Sequence, residues 1–172
     1  MISSDAANPS LIQHWAEIRN VFKRSFGSSF HYAIASVNAD GTPHNTPIGS
    51  LLLHNTEPKG IYFEIFTSQL RKNIETNPNI SVLAVDSGIW FWLKSLTRGE
   101  FPYAPAIRLY GKAGERRAAT DAEINRFKNR IKFVRELKGA KMLWGDLRQV
   151  REVIFFGFEH VKMGRMTGRL HT

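Results

Sequence analysis

Thr67-Ser68 and Arg71-Lys72 place two hydroxyls and two full positive charges at an expected helix start. The first turn of a helix leaves backbone N–H groups unpaired and carries partial positive charge. An arginine there can grip a phosphate with two parallel hydrogen bonds. Upstream, Gly41 to Gly49 reads Gly-Thr-Pro-His-Asn-Thr-Pro-Ile-Gly. His44, Asn45 and Thr46 offer hydrogen bonds to the edge of a heterocycle. Pro47 interrupts a strand ladder and leaves backbone groups for a ligand, and Gly49 lets a flat ring approach the main chain. Together the two segments suit a ligand that is flat at one end and phosphorylated at the other. Taken singly, each has an ordinary explanation, a capped surface helix and an exposed hairpin.

Other chemistries find less support. The chain has no cysteine, which removes disulfides, thiolate nucleophiles and cysteine metal sites together. Its six histidines lack ligand spacing and have no accompanying carboxylate cluster. There is no Gly-x-Ser-x-Gly elbow. Twenty-four Lys and Arg against 15 acidic residues give a net charge of +9, which favours anionic partners. The excess is concentrated between Arg116 and Lys141. There Arg126, Lys128, Arg130, Lys132 and Arg135 read as the solvated face of an amphipathic helix. No nucleic-acid reading motif accompanies them, so nucleic acid is not the expected partner. No apolar run reaches the length of a membrane span, and Met1 to Ser10 lacks the pattern of an export signal, so a cytoplasmic location is expected.

The elements that must position these residues follow from periodicity and turn chemistry. Leu11, Trp15, Ile18 and Phe22 line one face of a helix expected over Ser10 to Lys23, with Gly27-Ser28-Ser29 as a connector. His31 to Val37 is an expected strand, Asn38 to Gly41 a turn, and Asn45 to Leu53 a second strand. Ile61 to Phe66 and Ile80 to Val85 are further strands, flanking a helix from Ser68 to Asn77 that Pro78 stops. Asp86 to Pro105 is expected to be irregular, followed by a strand over Ala106 to Gly114. Thr120 and Glu123 form a capping box for a helix to about Lys138, ended by Gly139. A short helix over Met142 to Val150 and a strand over Glu152 to Lys162 complete the chain. The length fits one domain, with a core over 29–114 and 152–163 and a helical insertion over about 119–150. Strands without regular βαβ alternation favour a mainly β, antiparallel barrel with peripheral helices.

One ordered set of residues resembles a known family. It runs Ala35-Ser36-Val37, Asp40-Gly41-Thr42-Pro43-His44, Pro47, Ile61-Tyr62-Phe63, Thr67-Ser68, Arg71-Lys72-Asn73, Asn77-Pro78 and Ser81-Val82-Leu83. The chain is similar over roughly 29–85 to the pyridoxamine 5'-phosphate oxidase-like proteins, with further support from Ile107 to Ala113. The resemblance implies a six-stranded antiparallel split β-barrel, a homodimer with cofactor sites at the interface, and FMN as cofactor. By position, His44, Asn45, Thr46, Pro47 and Ile48 would line the isoalloxazine. Thr67, Ser68, Arg71 and Lys72 would hold the phosphate, and partner residues around Trp90 or Arg108 would close the site. Thr46 stands where the true pyridoxamine phosphate oxidases carry arginine, and the ending around Arg169-Leu170-His171 lacks their Trp-containing pattern. Vitamin B6 oxidation is therefore not the expected reaction. The adjacency of Lys72 and Asn73 departs from the family's spacing and leaves open which of Arg71 and Lys72 grips phosphate. The expected activity is two-electron transfer through FMN to or from a small-molecule substrate. Alternatives are a deazaflavin, haem held by His44 or His160, or a non-catalytic module binding flavin or nucleic acid.

Overall fold

The computed structural model describes residues 9–170. Expectations that fall on residues 1–8, His171 and Thr172 lie outside it. Helix α1 (Pro9–Gln13) and helix α2 (Trp15–Ser29) open the chain. Strands β1 (Tyr32–Val37) and β2 (Pro43–Ile48) form a hairpin, followed by β3 (Leu52–Leu53) and β4 (Lys59–Phe63). Helix α3 (Ser68–Thr76), strand β5 (Asn79–Val85) and helix α4 (Ile89–Arg98) come next. Strand β6 (Ala106–Ala118), helices α5 (Asp121–Arg130) and α6 (Lys138–Trp144) and strand β7 (Gln149–His160) follow, and a 3₁₀ turn covers Gly164–Leu170.

Among the described residues, seven strands form one sheet in the order β2-β1-β5-β6-β7-β4-β3, every neighbouring pair antiparallel. This is the split barrel with peripheral helices, with seven strands where six are expected. The difference lies in the run Asn45 to Leu53. It is not one strand: β2 ends at Ile48, Gly49 to Leu51 leave the ladder, and β3 pairs at the opposite end of the sheet. A buried side chain bridges the break. The Ser50 hydroxyl donates to the Phe63 carbonyl at 2.9 Å, and the Phe63 N–H donates back to Ser50 Oγ at 3.1 Å. The sheet edge also explains the prolines. Pro43 and Pro47 lie in β2, which pairs only with β1, so a missing N–H can face away from the ladder.

The interior is filled by Ile34, Tyr62, Phe63, Val82, Leu109 and Phe155 from the strands, joined by Leu11, Trp15, Ile18 and Phe22 from the N-terminal helices. Two register shifts between β6 and β7, at Tyr110/Gly111 and Ala113/Arg116, let this long pair bend. Inside the second bend Glu64 is buried between Arg116 and Arg151, at 2.7 and 2.6 Å, tying β6 and β7 to the end of β4.

Several helix boundaries differ from the sequence reading. Gly27 to Ser29 belong to α2, because the Ser28 and Ser29 hydroxyls bond the Ser25 carbonyl. The helix ends one residue later, at Phe30 with φ 61. Asp86 to Pro105 contains α4, whose inner side places Phe91 on Tyr103 with ring centroids 4.6 Å apart and buries Ser95. Helix α5 stops at Arg130, and Gly139 lies within α6 rather than ending a helix. The last residues of the helix expected over Met142 to Val150 belong instead to β7.

The capping box forms as expected, with the Thr120 side chain accepting from the Glu123 N–H and Glu123 accepting from the Thr120 N–H. Hydrogen bonds from the Arg117 guanidinium are the main reason the Glu123 carboxyl falls to about 2, well below the usual range. Its contribution is therefore complete above the ordinary glutamate range and is lost as pH falls towards 2. Acid unfolding of the native chain should show this loss, and Glu123→Gln should flatten stability over that window; an unchanged acid limb would remove the group from the balance. Ser50→Ala removes the side-chain acceptor of the Phe63 N–H and one of the two donors to the Phe63 carbonyl, which also accepts from the Ile65 N–H at 2.9 Å. It should cost about 2 kcal/mol or more in urea unfolding, and a midpoint equal to the native one would show that the bridge is dispensable.

Candidate functional site

A cavity of about 640 Å³ opens where β2 meets the segment after α5. Thr46, Pro47, Ile48 and Gly49 form one wall, Ile65 and Phe66 another, and Val134, Leu137, Leu143 and Trp144 a third. Among the described residues the lining holds no carboxylate, ammonium or guanidinium, and its one ionisable side chain is His31. Thr46 is buried and its Oγ1 has no hydrogen-bond partner among the described residues. An unpaired buried hydroxyl carries a desolvation cost that a ligand's polar edge would offset. Phe66 holds a left-handed conformation, φ 55, with its side chain 78% exposed at the cavity. A bulky residue is rarely found there. The bend ends β4 and leads directly through Thr67 into the first turn of α3.

The other end of β2 faces a different surface. His44 lines a shallow depression with Asn38, Asp40 and Gln69. Helix α3 is held over this hairpin by amides. Asn73, buried, donates to Ser36 Oγ at 3.0 Å and to Asn38 Oδ1 at 2.9 Å, and Gln69 donates to Asn73 Oδ1 at 2.9 Å. Asn73 thus has a positioning role that accounts for its place directly after the basic pair. Thr67 is buried at the helix start, while Ser68, Arg71 and Lys72 are exposed. Arg71 and Lys72 make no ion pair among the described residues.

The residues singled out in the sequence therefore fall into groups. Thr46, Pro47 and Ile48 share the cavity wall. Thr67, Ser68, Arg71 and Lys72 share the start of α3, linked to the cavity through Phe66. His44 joins the α3 side, and Asn45 is exposed and lines neither hollow. Sequence reasoning missed Phe30 and Phe66, which sit at the ends of α2 and of the β4–α3 bend, and Leu137 and Leu143, because their wall comes from a segment some ninety residues away from β2. Gly49 does receive a flat ring, but it is the chain's own: a Cβ there would lie 3.1 Å from the Trp144 indole nitrogen and 2.8 Å from the Phe30 carbonyl.

Among the described residues no group of three His, Asp or Glu is placed to hold a metal. No helix is long and apolar enough to cross a membrane.

Residues 21–154 match the sequence family described as pyridoxamine 5'-phosphate oxidase. The chain belongs to that family. No curated protein matches it. Among solved structures the family fold recurs in an FMN-binding protein from Syntrophomonas wolfei subsp. wolfei, 12% identical, TM-score 0.56, covering 91% of this chain and 97% of that one. It recurs in HupZ of Group A Streptococcus, 19% identical, TM-score 0.54, covering 87% and 94%. An F420 reductase is similar at 15% identity and TM-score 0.53, covering 83% and 96%. At these identities the likeness is one of fold.

Gly49→Ala tests the packing of this family member's cavity wall. The added methyl must displace the Phe30 carbonyl or the Trp144 ring, so unfolding should be easier by about 1–3 kcal/mol and tryptophan emission should shift. A variant with native stability and emission would mean the wall yields freely.

Proposed function

We propose that this chain is an FMN-dependent oxidoreductase acting on a small-molecule substrate, and that it works as a homodimer. The observation that carries the reading is the partition along β2. One half of the strand faces an apolar cavity with an unpaired buried hydroxyl, and the other half faces the polar start of α3 with its two unpaired cations. A flavin mononucleotide has the same order, a flat ring at one end and a phosphate at the other. The residues fit it. Thr46, Pro47 and Ile48 would face the ring, with the outer backbone edge of β2 available for its polar rim because no strand pairs there. Thr67, Ser68, Arg71 and Lys72 would hold the phosphate. The family and the FMN-binding neighbour support the same assignment.

When bound, the flavin supplies two-electron chemistry at its ring. The protein's share is to bind, orient and keep water out. The apolar wall of Ile65, Phe66, Leu137 and Leu143 performs the exclusion. Thr46 Oγ1 gives a fixed hydrogen-bonding group where the ring edge would lie. Among the described residues the lining has no carboxylate, and His31 brings an imidazole whose Nδ1 lies 2.7 Å from the Ser29 carbonyl. Haem ligation is less well supported: His44 and His160 both lie outside the cavity lining, and His160 bonds Glu17 at 2.9 Å.

The dimer is supported by uncovered apolar surface. Ala33, Ala35, Leu83 and Val85 alternate with core residues on β1 and β5 and point outward. On α4, Ile89, Trp90, Leu93 and Leu96 are all exposed, Trp90 at 81%. A second copy would cover such surface.

The test is a visible spectrum with FMN added, followed by titration of the Arg71→Ala/Lys72→Ala variant. A perturbed flavin band is expected for the native protein, with affinity at least about tenfold weaker in the variant, since each charged hydrogen bond contributes roughly 1.5–3 kcal/mol. Bleaching of the band by substrate or reductant would support turnover. A protein that leaves the FMN spectrum unchanged would overturn the cofactor, and a clean monomer in sedimentation would overturn the dimer.

A further inference from the structure

Two helices present basic residues into one groove that, among the described residues, no acidic residue lines. On α2, Arg19 and Lys23 are one turn apart; on α5, Arg126 and Arg130 are one turn apart. All four line a hollow of about 380 Å³ floored by Leu51, Leu52 and Tyr32. The groups converge in space. Arg19 and Arg126 both donate to the Asn55 side-chain oxygen, at 3.0 and 3.3 Å. Arg126 also donates to the Leu53 carbonyl at 2.6 Å, and Arg130 to the Leu51 carbonyl and the Tyr32 hydroxyl. The Arg130 guanidinium lies 3.6 Å above the Phe26 ring.

Every one of these partners is neutral. None of the four cations has an ion pair among the described residues. Burial lowers the proton affinity of Arg126 and Arg130; Arg19 lowers that of Arg126 further, while at Arg130 the Tyr32 hydroxyl partly offsets burial and Arg126 adds to it. Carbonyls and an aromatic face hold the guanidinium groups in place without cancelling their charge. An arginine has five N–H donors, so each keeps donors beyond those used here. A fixed set of like charges, held by neutral acceptors around an open hollow, is arranged for a multiply charged anion.

We propose that the groove between α2 and α5 is a second anion site, which takes a small phosphate-bearing ligand of diphosphate type. It is separate from the cofactor site proposed above. Gly49 and Ser50 line the apolar cavity, whereas Leu51 to Leu53 line the groove, so the break in the sheet divides the two. Leu51 to Leu53 supply a backbone floor, Lys23 supplies an exposed charge, and Arg130 supplies a fixed one.

The test is calorimetric titration of the full chain with inorganic pyrophosphate at low ionic strength. Saturable binding is expected, at one site or, if the start of α3 also takes the anion, at two. Arg19→Gln with Lys23→Gln should weaken the groove component at least about tenfold, as loss of charged hydrogen bonds requires. Arg71→Ala with Lys72→Ala should leave that component within about twofold, because those residues lie on another element. Should the first double variant fold poorly, Lys23→Gln alone carries the test, since Lys23 makes no ion pair among the described residues; it should weaken binding about threefold or more. Absence of saturable heat would overturn the site. So would binding abolished by the α3 substitutions and untouched by those in α2. Neither result would bear on FMN, which the absorption spectrum reads separately.

Discussion

The fold depends on a single stretch of chain reaching both edges of its sheet. Residues Asn45 to Leu53 leave one edge as β2 and join the other as β3. At the crossing the backbone cannot pair with a strand, and a buried polar backbone without partners would cost several kcal/mol. Arg130 answers part of this by donating to the Leu51 carbonyl, and the Ser50 hydroxyl ties the crossing to the end of β4 by donating to and accepting from Phe63. Gly49 solves the steric part, since any side chain there would strike the Phe30 carbonyl. The hollows arise from the same crossing. Gly49 and Ser50 look into the apolar cavity, and Leu51 to Leu53 look into the cationic groove.

Edge position and amide locking then give β2 its two faces. As an outer strand it tolerates two prolines and keeps unpaired backbone groups along one side. Helix α3 is set beside its polar half by Asn73, whose burial makes the bonds to Ser36 and Asn38 strong constraints on where the helix begins. The cations Arg71 and Lys72 are thus carried on a rigid element without being held themselves. That leaves their charge available to a ligand at little cost in fold stability.

Much of this was legible in the sequence, and the failures have identifiable physical causes. The hairpin turn, the α3 helix before Asn77-Pro78 and the capping box at Thr120 rest on local chemistry, and they form where local chemistry puts them. The break after Ile48 was hidden because Leu51-Leu52-Leu53 continues an apolar run, and periodicity cannot show that one run serves two sheet edges. Helix α4 was hidden because the dense aromatics Trp90, Phe91 and Trp92, followed by Pro102 and Pro105, read as an irregular excursion, although the segment forms an amphipathic helix over Ile89–Arg98. Of the candidate site, Thr46 to Ile48 and the start of α3 were visible as local patterns. The Val134 to Trp144 wall was not, because a tertiary contact leaves no mark in either segment.

The basic helix shows why charge composition alone misleads. Arginines on an amphipathic helix read as a solvated face, yet Arg126 and Arg130 turn towards β3 and its approach, where long side chains reach main-chain carbonyls. The acidic residues are committed elsewhere. Glu64 is shared by Arg116 and Arg151, Glu123 and Glu152 by Arg117, and Asp86 faces Arg24. These pairs brace β4, β6 and β7 and hold α2 to the end of β5. The excess of +9 must therefore collect where no acid has been spent. Two such places are the start of α3 and the groove between α2 and α5, the first exposed and the second built into the fold. A net charge fixes the sign of the partner, but the distribution of carboxylates among structural pairs decides where that partner can be held.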